Sequence, residues 1–146
     1  MAFLELKTPI DMLEKAKREH SRMTAAFEID HVFNFFVTAN HISDYVEKTG
    51  TVTKAVLEVL YEHEDMRDCR DLCNKAKHLR LTRRTDPITH QWSGAIGCAP
   101  LGVLPLGCDG RWELWSDGRE VDIAELASRV LHKWEEFFDA NGLSRS

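Results

Sequence analysis

The feature that most constrains this chain is a change of texture at Arg84. Up to that point apolar residues recur at helical spacing, and from Asp122 the same spacing returns. Between them, residues 85–119 hold Pro87, Pro100 and Pro105, three of the four prolines, and six of the eight glycines. Breakers at that density leave room only for short β-type runs. The pattern predicts a mainly α chain with α+β character. We expect an antiparallel bundle of four to five helices with a small antiparallel β meander inserted before the last one. At 146 residues the chain forms one domain, the bundle covering about 8–84 and 122–140 and the meander about 86–121.

Local signals place the helices. Thr8-Pro9-Ile10-Asp11 reads as a start, with Thr8 as N-cap, Pro9 at the first helical position and Asp11 near the positive end of the dipole. A break is expected between His20 and Thr24. The helix from about Ala25 to Lys48 is the most apolar, with Val32, Phe33, Phe35, Phe36, Val37, Ala39, Ile42, Tyr45 and Val46 leaving a narrow polar strip. So wide an apolar arc belongs to a central helix closed by Gly50. A short helix over about Val52 to His63 should turn Ala55, Val56, Val59 and Leu60 inward. A third long helix spans roughly Glu64 to Leu81, burying Met66, Cys69, Leu72, Cys73, Ala76 and Leu79. The β runs are Ile88 to Trp92, Leu101 to Leu106 and Arg111 to Trp115, the last followed by the turn signal Ser116-Asp117-Gly118-Arg119 and then Glu120-Val121. Asp122 and Glu125 form a capping box for the final helix, which ends at Asn141-Gly142.

Charge narrows the function classes. The formal charge is −5, which argues against a general nucleic-acid coat or a membrane-surface protein. No run of about 18 apolar residues is present, so no transmembrane helix is expected, and no basic-then-apolar leader is visible at the N-terminus. A cytoplasmic location follows as the expectation. Cys69, Cys73, Cys98 and Cys108 lack the C-x2-C spacing of a zinc knuckle. They read as small buried hydrophobes, and neither a metal nor a cofactor is expected.

Against that acidic background stands a basic island. Lys75, Lys77, Arg80, Arg83 and Arg84 fall within ten residues that contain no acid. Just ahead and within it, Arg70, Asn74 and His78 lie at i, i+4 and i+8, one stripe of a helix. Arginine offers forked donors to a phosphate, and histidine titrates where a base must work to take a 2′-hydroxyl proton. Asn74 could orient the imidazole or bond a phosphate oxygen, and the surrounding cations would steer a polyanion. The same residues also describe the wet face of an amphipathic helix, with Asp71 and Lys75 as an i, i+4 ion pair.

Two further groups are candidates. His41 and Asp44 at i, i+3 can meet on one helix face, and either extend the polar cluster toward Asn74 and His78 or simply fix helix register. Trp92, Trp112 and Trp115 offer either a partner-binding surface or the minicore beneath the meander.

A helical bundle whose late helix carries Arg70, the polar Asn74 and then His78 resembles the HEPN superfamily, over residues 25–84 and the final helix. The resemblance implies a metal-independent endoribonuclease, or an RNA-directed accessory protein, of bacterial or phage type, in toxin–antitoxin or phage-defence systems. It also implies a homodimer with the Arg and His at the shared cleft. Eight helical residues rise about 12 Å, so Arg70 and His78 can converge on one phosphate only across a dimer axis or through bent backbone. A homodimer is expected independently, because Phe33, Phe35, Phe36, Phe137 and Phe138 supply more apolar surface than a small bundle easily covers. The alternative is a non-catalytic protein-interaction scaffold that makes contact through the tryptophans of the meander.

Overall fold

A computed structural model describes the backbone of residues 6–78, 88–93, 110–116 and 118–143, and the side chains of 6–75, 112–116 and 118–143. Among the described residues, five helices and three strands occur in the order α1 (Pro9–Ala25), α2 (Ile29–Thr49), α3 (Lys54–Leu60), α4 (Glu64–His78), β1 (Ile88–Ser93), β2 (Gly110–Ser116), β3 (Arg119–Asp122) and α5 (Ile123–Ala140). The chain is mainly α with a small antiparallel sheet ahead of the last helix.

Helix α1 begins as its sequence dictates. The Asp11 N–H donates to Thr8 Oγ1 at 3.3 Å, and Asp11 Oδ2 accepts from the backbone N–H groups of Thr8 and Lys7 at 2.9 and 3.0 Å. These bonds hold the Asp11 carboxyl below its ordinary pKa. Thr8→Ala removes one half of this reciprocal cap and is expected to cost about 1 kcal/mol, read as a lower urea midpoint at unchanged slope. The helix then runs unbroken to Ala25, so the break expected between His20 and Thr24 falls later, at Ala26–Glu28. Met23, fully buried, holds this last turn against the core.

Helix α2 is the central element. Phe35, Phe36, Ala39, Ile42 and Val46 are buried, and Gly50 ends the helix in the left-handed region at φ 67°. Helix α3 departs from expectation. Leu57 is its buried residue, while Val56 and Val59 face outward. At seven residues it has too little surface to form a layer, and Leu60, expected inward, is partly buried against the core.

Strand β2 lies between β1 and β3, antiparallel to both, in the order β1-β2-β3. Its register pairs Ile88 with Trp115, Gln91 with Trp112 and Leu114 with Val121. The turn between β2 and β3 uses Gly118 at φ 74°. The expected run Leu101 to Leu106 lies outside the described residues.

Helix α5 closes the core. Asp122 caps it by accepting from the Glu125 N–H at 3.0 Å, and Leu126, Val130, Trp134, Phe137 and Phe138 are buried. The Trp134 ring meets Phe137, Phe138 and Tyr61 edge-on, with centroids 5.6, 6.3 and 6.3 Å away. Of the five phenylalanines expected to leave an uncovered surface, four are buried inside the chain and Phe33 remains 43% exposed.

Candidate functional site

Helix α3 doubles back from the end of α2 and leads into α4, and the three helices enclose a groove of about 380 Å³. Asn40, Ser43, Asp44 and Glu47 from α2 form one wall. Lys54, Leu57 and Glu58 from α3, with Tyr61 just after it, form the floor and rim; Arg70 and Asn74 from α4 complete it. The i, i+4 spacing read from the sequence therefore does deliver Arg70 and Asn74 to one cavity, and the structure adds Asp44 opposite them.

Tyr61 organises the inner end. Its hydroxyl donates to Asn40 Oδ1 at 3.0 Å, and the ring carries the Arg70 guanidinium at 5.4 Å from its centroid. Burial raises the phenol well above its ordinary pKa, so Tyr61 remains a neutral donor. Arg70 pairs with no carboxylate among the described residues. Its charge is held by an aromatic face on one side and is available to the groove on the other.

The remaining candidates divide. Lys75 is half-buried on α4. The α4 backbone is helical through Lys77 and His78, whose side chains lie outside the described residues, as do Arg80, Arg83 and Arg84 altogether. Because α4 is continuous from Glu64 to His78, the positions of Arg70 and His78 are separated by about 12 Å of helical rise with no bend between them. His41 Nδ1 donates to the Val37 carbonyl at 2.7 Å, which points Nε2 toward Asp44 Oδ2 at 4.0 Å, beyond hydrogen-bond range. Asp44 lines the groove and His41 does not.

The tryptophans split by strand parity, since positions three apart on a strand face opposite ways. Trp112 packs edge-on against Phe27, centroids 5.0 Å apart, and so joins the core side. Trp115 is 42% exposed. The Trp92 side chain lies outside the described residues.

Sequence reasoning missed the acidic face of α4. Asp65, Asp68 and Asp71, at i, i+3 and i+6, are buried; Asp71 therefore belongs to the packed side of the helix instead of its wet face. Arg119 Nη2 from β3 donates to both oxygens of Asp68 at 3.1 and 3.3 Å, and Arg129 Nε from α5 to both oxygens of Asp65 at 3.2 Å. The signal was present in the three-residue spacing of aspartates along the same stretch as the buried cysteines. These two clamps fasten the sheet and α5 to the helix that carries Arg70 and Asn74.

Among the described residues no three His, Cys, Asp or Glu side chains gather to hold a metal ion, and no helix is long and apolar enough to cross a membrane. Comparison of the chain with protein-family models, curated proteins and solved structures gives no match.

Proposed function

We propose that this is a HEPN-like, RNA-directed protein of the cytoplasm whose α2–α3–α4 groove holds a phosphate through Arg70 and Asn74. One observation carries the reading: the Arg70 guanidinium lies against the Tyr61 ring with no carboxylate partner among the described residues, on the wall of a groove it shares with Asn74. An arginine oriented by stacking loses little further entropy when its fork engages two oxygens. Asn74, one turn further on, supplies an amide donor to the same anion. The basic residues that follow in sequence, from Lys75 and Lys77 to Arg80, Arg83 and Arg84, suit neighbouring phosphates.

Binding is the activity this arrangement supports within one chain. About 12 Å of helical rise separates positions 70 and 78, too far along one chain for a base at the second to serve a phosphate held at the first. Metal-independent cleavage therefore belongs to a homodimer, with the histidine supplied across the axis.

The test is fluorescence anisotropy with a short single-stranded RNA. Affinity should fall at least about tenfold between 50 and 200 mM salt, and Arg70→Ala should weaken it by roughly a further tenfold through loss of charge-assisted bonds. Loss of RNA cleavage on His78→Ala, with binding retained, would add the dimeric nuclease. Binding that ignores both salt and Arg70 rejects the reading. It would favour the second one, a protein-contact surface around the exposed Trp115, which Trp115→Ala would then disable.

A further inference from the structure

We propose that the groove takes the 3′-terminal nucleotide of an RNA, reading its free 2′,3′-diol, in preference to any internal stretch of strand. This rests on the phosphate reading of the same site and adds a substrate class to it.

The groove carries charges of both signs. Among the described lining residues, Arg70 and Asn74 share the cavity with Asp44, Glu47 and Glu58, three carboxylates against the single further cation Lys54. A strand passing through would bring a phosphate to each side of every nucleotide, and one of them would have to lie among those carboxylates. Like charges at such separations repel, more strongly in a partly enclosed groove than in open water. A chain end removes the conflict, because its last nucleotide carries a phosphate on one side only.

The chemistry of these carboxylates selects which end. Ionised carboxylates accept hydrogen bonds and donate none. A free 3′ end presents two adjacent hydroxyl donors on the ribose, a match for the two oxygens of one carboxylate, and its 2′-hydroxyl separates RNA from DNA. The phosphodiester on its 5′ side is then directed toward Arg70 and Asn74. Volume agrees: about 380 Å³ lies near the lower end of small-ligand sites and suits one nucleotide instead of several.

The experiment compares one RNA oligomer with three different 3′ ends, a free diol, a 2′-deoxy terminus and a 3′-phosphate, by anisotropy against the full chain. The free diol should bind best, and the 3′-phosphate roughly tenfold or more weaker, as expected when donors become a like charge facing carboxylates. The double variant Asp44→Asn, Glu47→Gln changes exposed side chains, so the fold is retained, and in it the 3′-phosphate penalty should shrink to within about threefold. RNA bound equally well with all three ends overturns the terminal-nucleotide inference while leaving the phosphate reading intact. A penalty unchanged in the double variant also overturns it, because the discrimination would then arise elsewhere. No binding to any of the three overturns both.

Discussion

Trp134→Ala is expected to lower the unfolding free energy by about 4 kcal/mol. Trp134 is completely buried and carries the edge-on contacts to Phe137, Phe138 and Tyr61, so truncation leaves a void bounded by rigid rings that cannot collapse into it. The indole Nε1 has no hydrogen-bond partner among the described residues. A buried donor without a partner costs about 1–3 kcal/mol, so Trp134→Phe loses volume but also removes that burden. It should therefore fall within about 2 kcal/mol of the parent, well short of the alanine variant. Urea denaturation of the three proteins checks the order. Equal losses for Phe and Ala would mean that the indole donor is satisfied and that the whole ring volume is what matters.

The same substitution reaches the candidate site. The Tyr61 ring meets Trp134 edge-on and carries the Arg70 guanidinium. The core and the groove thus share a wall, and the guanidinium owes its position to packing that begins at α5. On the proposed RNA reading, affinity should fall in Trp134→Ala even at a temperature where the variant is folded.

Which parts of this were legible in the sequence follows from the range of the interactions involved. The Thr8–Asp11 cap, the Gly50 stop and the turn at Gly118 are decided within four residues, and their signals stand in the sequence unaltered. The apolar arc of α2 announced a central helix for the same reason, since a helix that is hydrophobic over most of its circumference can only be enclosed. Helix α3 was misread in part because seven residues carry too few repeats to fix a face, and Leu57 is buried with Leu60 beside it while Val56 and Val59 are exposed. The break after α1 was misplaced because nothing between His20 and Thr24 is a true breaker, and burial of Met23 carried the helix on.

At the site, i, i+4 spacing sufficed to bring Arg70 and Asn74 together, because both ride on one helix. Tyr61 escaped notice, since its partners Asn40 and Arg70 come from two other elements and no local pattern ties them. The aspartates of α4 were hidden by a general rule. Carboxylates are almost never buried unless paired, and the arginines that pair them, Arg119 and Arg129, lie some 50 and 64 residues away.

Those clamps give the second large effect. Arg119→Ala is expected to destabilise the fold by about 3 kcal/mol at neutral pH, because it strands a buried carboxylate. Asp68 is 1% exposed, and burial already raises its pKa, with Arg119 and Ser116 pulling it back toward the charged form. Removing the guanidinium leaves only Ser116 to oppose desolvation, so in the variant the folded-state pKa of Asp68 rises further above its unfolded value. A group whose pKa is raised by folding holds its proton more tightly in the native state, so its ionisation destabilises the fold. The penalty is therefore full above the raised folded pKa, shrinks as the pH falls through it, and disappears below the unfolded value of about 3.9. Denaturation curves of parent and variant should accordingly converge on acidification, although other carboxylates such as Glu19, held by Lys15 and Arg22, weaken both proteins alike over that range. Asp68→Asn in the Arg119→Ala background should restore most of the loss at pH 7, because an amide carries no charge to strand. A deficit independent of pH, or one that Asn fails to relieve, would show that Arg119 acts by packing β3 against α4 and not by neutralising Asp68.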